Sequence, residues 1–332
     1  MTGALRRLPH YLILIAAMVA LNFFLPRMMP GSPATRLASD SGYAVTAEER
    51  EQILGFYNLD KPMGEQFAMF LEDLVTLDWG RSFSKKQPIF DLIKAALPWT
   101  LLLAVCNIAI ASVIGTFLGA LSAFMRKRGR DKPLVIGMMA LSAMPAFWIG
   151  MMLLSVFGVR LGWFPLFGAY SMWGDYTGMA YVADVLRHLA MPLATSVLAS
   201  LAAFFTTARY GVLNTMEHDY IRMARMRGVP DARVKTFYIM RNGFIPVFVV
   251  LMTQMGFILS GSLVIEKIFT YPGLGLLLAD AVVARDYPLM QYAFLMTSIM
   301  VAITMFLADV LHYKLDPALG SDGGSEKHGG HR

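Results

Sequence analysis

Charge is scarce in this sequence: 16% of its 332 residues are Asp, Glu, Lys or Arg, where an ordinary soluble domain carries about 25%. A water-soluble fold of this length needs polar atoms over its whole surface, and these charges are both few and clustered. With 56% hydrophobic residues and a mean hydropathy of +0.53, soluble globular, fibrous and disordered classes are excluded. Cysteine is nearly absent. The single Cys106 can form neither an internal disulfide nor a zinc site, and its place inside an apolar run makes it a packing residue. Short chemical motifs are missing too. No GxxxxGK[ST] phosphate loop occurs, nor HExxH, CxxC or GxSxG, so ATP hydrolysis and the common metalloprotease and serine-hydrolase chemistries lack their reactive groups. The chain is expected to be no enzyme and to bind no cofactor or metal itself.

What is there is six long uncharged stretches: Leu8 to Pro26, Ala95 to Met125, Pro133 to Val159, His188 to Ala208, Asn242 to Ile265 and Tyr287 to Ala308. Each reaches roughly the 20 apolar residues that a helix needs to cross about 30 Å of hydrocarbon. The first follows Arg6 and Arg7 but ends in Phe-Phe-Leu-Pro without a small-residue cleavage pattern, so it reads as a retained span rather than a signal peptide. With both termini in the cytoplasm, seventeen Lys and Arg fall inside against twelve outside, and net charge is +9 inside against −3 outside. The compact loop Arg126-Lys-Arg-Gly-Arg-Asp-Lys132 lies close to span ends, where basic residues weigh most. The expectation is an all-α, six-span protein of a bacterial plasma (inner) membrane with both termini cytoplasmic.

The divisions expected are residues 1–29 for the N-terminus and first span, 30–95 for a small extracytoplasmic helical segment, 96–318 for the core with spans two to six, and 319–332 for a disordered cytoplasmic tail. Within 30–95, Thr46 and Glu49 have capping-box spacing, and Phe67, Phe70, Leu71 and Leu74 repeat at helical intervals after Pro62, predicting two amphipathic helices. In the second span Ala111, Gly115, Gly119 and Ala123 form a small-residue stripe that allows close helix packing. Pro145 should kink the third. The aromatic-rich segment Leu161 to Leu186 is suited to the outer interface, and the Gly-rich tail carries His328 and His331 without a fixed geometry for a metal.

No Asp, Glu, Lys or Arg lies deep in a span; Asp309, near the inner end of the last, is the exception and reads as an interface residue. The polar lining is neutral. Most of its hydroxyls are expected to bond their own backbone, but Gln254 at mid-depth needs a partner or water, which makes it and Thr253 path candidates, with Ser260, Ser262 and Asn107 beside them.

The most specific feature is the loop spanning residues 209–243. From Asp219 it reads as two short helices: one near Tyr220 to Arg227 closed by Gly228, the other opened by Pro230 and Asp231 and continuing through Val234, Phe237 and Tyr238. This helix-turn-helix, basic and apolar together, suits either a membrane surface or a partner protein. It resembles the EAA loop of ATP-binding-cassette importer permeases of the oligopeptide, dipeptide and nickel branch, in which the Glu of EAAxxxG is commonly Arg; the matching residues are Arg222, Met223, Ala224 and Gly228. Met29-Pro-Gly-Ser-Pro33 resembles the family's PGDP with Ser32 for Asp. Leu59-Asp-Lys-Pro62, Leu77-Asp-Trp-Gly-Arg-Ser-Phe83, Pro145-Ala-Phe-Trp-Ile-Gly150, Leu161-Gly-Trp-Phe-Pro165, Tyr271-Pro-Gly-Leu-Gly275, Arg285-Asp-Tyr-Pro288 and Leu315-Asp-Pro317 extend the likeness along the chain. The order fits the first, "B-type", permease subunit.

The resemblance implies a type I importer. In it the chain pairs with a second homologous permease, two ATPase subunits bind ATP and Mg beneath, and a solute-binding protein delivers substrate from outside; membrane lipid surrounds it, and nucleic acid has no place. Tyr220, Arg222, Met223, Ala224, Arg225, Arg227, Gly228, Asp231, Val234 and Phe237 would form the coupling element, with Gly228 making the turn, Ala224 allowing close approach and the arginines offering charge-assisted contacts. The implied substrates are peptides, with glutathione, nickel chelates, opines and oligosaccharides as alternatives. An ATP-independent secondary transporter or channel stays open, though no ion-coupling carboxylate or internal repeat is visible. So does a membrane enzyme using Asp309, His312 and Tyr313.

Overall fold

The computed structural model describes residues 2–28, 55, 58, 60–174 and 176–315. The regular elements among them are helices: α1 (Thr2–Met28), α2 (Met63–Thr76), α3 (Ile89–Met125), α4 (Lys132–Ala143), α5 (Ala146–Arg160), α6 (Met179–Met216), α7 (Asp219–Met226), α8 (Asp231–Gly243), α9 (Ile245–Ile268), α10 (Leu274–Ala284) and α11 (Tyr287–Leu315). By length and composition α1, α3, α6 and α11 can each cross a bilayer, and counting the bent pairs α4–α5 and α8–α9 as single spans raises the number to six. The all-helical architecture matches the sequence reading. The Thr46–Glu49 capping box, the Pro-Gly-Ser-Pro motif, and the tail with His328 and His331 lie outside the described residues.

The expected small-residue stripe builds the centre of the fold. Ala111, Gly115, Gly119 and Ala123 are all buried on α3 against Phe204, Phe205 and Ala208 of α6. A Cβ added at Gly115 would sit 2.6 Å from the Phe204 Cβ, so the approach depends on the missing methyl groups. At the end of this contact Arg209 of α6 donates from Nη2 to Asp131 Oδ2 at 2.7 Å and from Nε to Ser122 Oγ at 3.1 Å. The Arg209 hydrogen bond holds the Asp131 carboxyl below the usual carboxylate range. Because the folded value is the depressed one, this stabilisation is complete above about pH 4 and is lost as pH falls through the folded value. Asp131→Asn is therefore expected to lower the thermal midpoint at neutral and alkaline pH and to flatten its acid limb, the difference from wild type closing as pH falls through the folded value.

Pro145 does more than kink its span. Met144 and Pro145 both take extended backbone, as the residue before a proline prefers, and α4 and α5 meet at 100° as separate helices. Helix α3 starts at Ile89, inside the segment assigned to 30–95, and the aromatic loop is confined to residues 161–178 because α6 begins at Met179. That loop is fastened rather than free: Ser171 donates from N at 2.6 Å and from Oγ at 2.8 Å to Asp184 of α6, and Trp99 stacks on Tyr170. The helix expected after Pro62 is α2, whose Phe70 joins Phe23, Trp79, Ile89 and Tyr292 in a core tying α1, α2, α3 and α11 together.

Candidate coupling hairpin and buried carboxylates

Helix α7 ends at Met226, and Gly228 closes the turn in the left-handed region at φ +75°, where a Cβ is disfavoured. Helix α8 then starts at Asp231 with Pro230 before it, as the sequence indicates. The two arms are joined across the turn by Asp231, whose carboxylate lies 2.8 Å from Lys235 Nζ and 3.8 Å from Arg225. They fold on an apolar core of their own: Ile221, Ala224, Val234 and Ile239 are buried with Ala120, Ala123 and Val212 of α3 and α6. Ala224, expected to allow close approach, does so toward the protein's own helices. Ala224 and Val234 point inward, and their size sets how closely the hairpin lies on α3 and α6.

The outward face is left to Tyr220, Arg222, Met223, Met226, Arg227 and Phe237, with Met226 79% and Phe237 66% exposed. Arg222 lies 3.7 Å from Asp219, an exposed contact of little energetic weight. The hairpin's base is closely packed. Gly243 at the end of α8 packs directly on Gly211 of α6, where a Cβ on Gly211 would collide with the Gly243 carbonyl. Backbone therefore meets backbone, with no side chain in between.

The path candidates separate. Thr253 is exposed on α9 and donates to Val249 O at 3.0 Å, the local bond expected of most hydroxyls. Gln254 beside it is half-buried. Asn107 is turned into the α3–α6 interface, where its Oδ1 accepts from Ser200 Oγ at 3.1 Å. The side chains of Ser260 and Ser262, and those of His312 and Tyr313, lie outside the described part of the structure. Asp309 accepts a hydrogen bond from Tyr11 of α1 at 2.9 Å.

Two carboxylates that sequence reasoning left among the outside charges are fully buried. Glu266, in the last turn of α9, accepts from Thr100 Oγ1 at 2.9 Å and from the Leu276 backbone N–H at 3.0 Å. Asp286 accepts at Oδ2 from Ser82 Oγ at 2.5 Å, from Ser84 N at 2.9 Å and from Ser84 Oγ at 2.9 Å, and at Oδ1 from Leu289 N at 3.2 Å. It thereby joins the Arg285-Asp-Tyr-Pro288 motif to the Leu77–Phe83 motif, two signatures about 200 positions apart. The signal that marks Glu266 is its neighbours: Pro-Gly-Leu-Gly follows within ten residues, and Gly273 and Gly275 both pack against its carboxylate.

The family described as "Binding-protein-dependent transport system inner membrane component" matches residues 115–321. The glutathione transport system permease protein GsiC of Pectobacterium atrosepticum is 35% identical over 320 residues, covering 95% of this chain and 97% of that protein. Its namesake in Escherichia coli is 34% identical over 302 residues, covering 90% and 92% respectively.

Proposed function

The chain belongs to the binding-protein-dependent transport system inner membrane components and is a permease subunit of an ATP-binding-cassette importer, and from that premise we propose how it works. Helices α4–α5 and α9 complete a six-span arrangement with both termini in the cytoplasm. The α7–α8 hairpin docks into an ATPase subunit, a second permease supplies the other half of the path, and a solute-binding protein delivers substrate from the far side. One observation carries this reading: a hairpin that buries its own core yet presents an apolar and basic face. Such a surface fits a groove lined with carboxylates and apolar side chains.

Closure of the ATPases would push the hairpin, and the Gly211–Gly243 contact would hand the motion to α6 and α9. Gly228→Trp is expected to leave the complex assembled, since nothing lies within 4 Å of where its Cβ would be, while its bulk and the strain at positive φ disturb the docking turn. ATP hydrolysis should then run without substrate uptake; coupling at the wild-type ratio would overturn the assignment. The substrate we propose is a small peptide, with glutathione, the tripeptide named in the relatives above, as the first to try. Affinity purification from the native membrane tests the assembly: a second permease and P-loop ATPases should accompany the chain, whereas a lone chain transporting without ATP would place it among secondary carriers.

A further inference from the structure

Away from the coupling hairpin, one cavity gathers charges of both signs that do not pair with each other. Its volume is about 320 Å³, toward the lower end of the roughly 300–1,000 Å³ typical of small-molecule sites. The end of α1, the helix α2, the 78–81 turn and the start of α11 wall it. Arg27 lies half-buried on one side. Its Nε donates to Gln66 Oε1 at 3.0 Å, and its Nη1 donates to Phe23 O at 2.8 Å and Gln291 Oε1 at 2.7 Å, with the guanidinium 3.7 Å over the Phe23 ring. Every one of these partners is neutral. Of the five guanidinium N–H groups, the two on Nη2 have no acceptor among the described residues.

Asp73, Asp78 and Arg81 also line the cavity; Arg81 Nη2 donates to Lys86 O at 3.0 Å, and neither carboxylate has an ion-pair or side-chain hydrogen-bond partner among the described residues. Burial, then the Asp78 and Glu72 charges, push the Asp73 carboxyl above its usual value, as expected of an acid lacking a cation. An aromatic pair lines the same cavity: Trp79 and Tyr292 stack at 5.1 Å and 8°, and the buried Trp79 Nε1 has no acceptor among the described residues. A guanidinium with an unused Nη2, two acids without an ion-pair partner and an aromatic face together describe the complement of a molecule carrying both charges.

We propose that this cavity is a binding site for a small zwitterion, its anionic group held by Arg27 Nη2 and its ammonium group by Asp73 and Asp78 beside the Trp79–Tyr292 pair. Two sources have that chemistry: the headgroup of phosphatidylethanolamine and a free amino acid or dipeptide. The test uses the purified transporter complex, stripped of lipid and placed in nanodiscs, with thermal unfolding midpoint as the readout. One arm raises phosphatidylethanolamine in a phosphatidylglycerol background; the other titrates glycylglycine, its N-acetylated form and its C-amidated form into phosphatidylglycerol discs.

At least one source is expected to raise the midpoint saturably, with the blocked dipeptides inactive if the free solute is the ligand. A response to lipid alone assigns the headgroup, and a response to the dipeptide alone assigns the solute. The double variant Asp73→Asn/Asp78→Asn should weaken the apparent affinity at least tenfold. It alters only half-buried and exposed side chains, so folding is retained. Arg27→Lys should do the same and, if it fails to fold, the acidic pair decides alone. No response to either source, equal binding of the blocked dipeptides, or wild-type affinity in the double variant would each overturn the proposal.

Discussion

Glu266→Ala is expected to lower stability by about 2–6 kcal/mol, from about 1–3 kcal/mol for each buried donor left without its acceptor, and to abolish uptake. Two donors would be stranded: the Thr100 hydroxyl and the Leu276 N–H. A third is affected indirectly, because Leu274 donates to Thr100 Oγ1 at 2.8 Å. These are the first N–H groups of α10, which have no partner within their own helix, so the carboxylate acts as both cap and counter-charge for a helix N-terminus. Glycine is required around it. A Cβ on Gly273 would sit 2.5 Å from Thr100 Oγ1, and one on Gly275 would sit 2.5 Å from the Leu263 Cα.

Glu266→Gln separates the contributions. The amide keeps the shape and one acceptor, but it cannot accept from both Thr100 and Leu276, so a smaller loss of about 1–3 kcal/mol is expected. Thermal unfolding of the detergent-solubilised complex, read beside uptake, checks the order wild type, Gln, Ala. A wild-type midpoint for Glu266→Ala would mean that α10 is held by its apolar contacts alone.

The contrast between Glu266 and the spans shows what the sequence displays. Span positions follow from one strong constraint, the exclusion of charge from hydrocarbon: the stretch Tyr287 to Ala308 falls within α11, and Asn242 to Ile265 covers the end of α8 and most of α9. Gly228 was equally visible because only a positive φ closes that turn without a Cβ penalty. Glu266 escaped because it sits one residue beyond an uncharged stretch, where a carboxylate looks like a solvated span end. Its burial depends on α10 folding back over it, a tertiary event. The orientation of Ala224 was hidden for a related reason: periodicity shows that a helix has two faces, but not which one meets α3 and which a partner. Helix α10 itself, eleven residues long, falls below the length that marks a span.

Gly119→Ile is the second large effect expected, and its reasoning joins packing to function. A Cβ at Gly119 would collide with the Phe205 carbonyl oxygen and lie 2.9 Å from the Ala208 Cβ. A helix carbonyl cannot rotate away as a side chain can, so the helices must separate, at the upper end of the roughly 1–3 kcal/mol typical of overpacking or beyond it. Gly137→Ala on α4 is the control: nothing lies within 4 Å of its Cβ, so it should be neutral or slightly stabilising through helix propensity. The consequence reaches further than stability. Helix α6 continues from this contact through Arg209 and Gly211 to the base of the hairpin, so moving it away from α3 displaces the surface proposed above to dock on an ATPase. In whatever fraction of Gly119→Ile folds, substrate should stimulate ATP hydrolysis less than in wild type, whereas Gly137→Ala keeps full stimulation. Normal stimulation in folded Gly119→Ile would show that the hairpin takes its position from its own core and not from the α3–α6 seam.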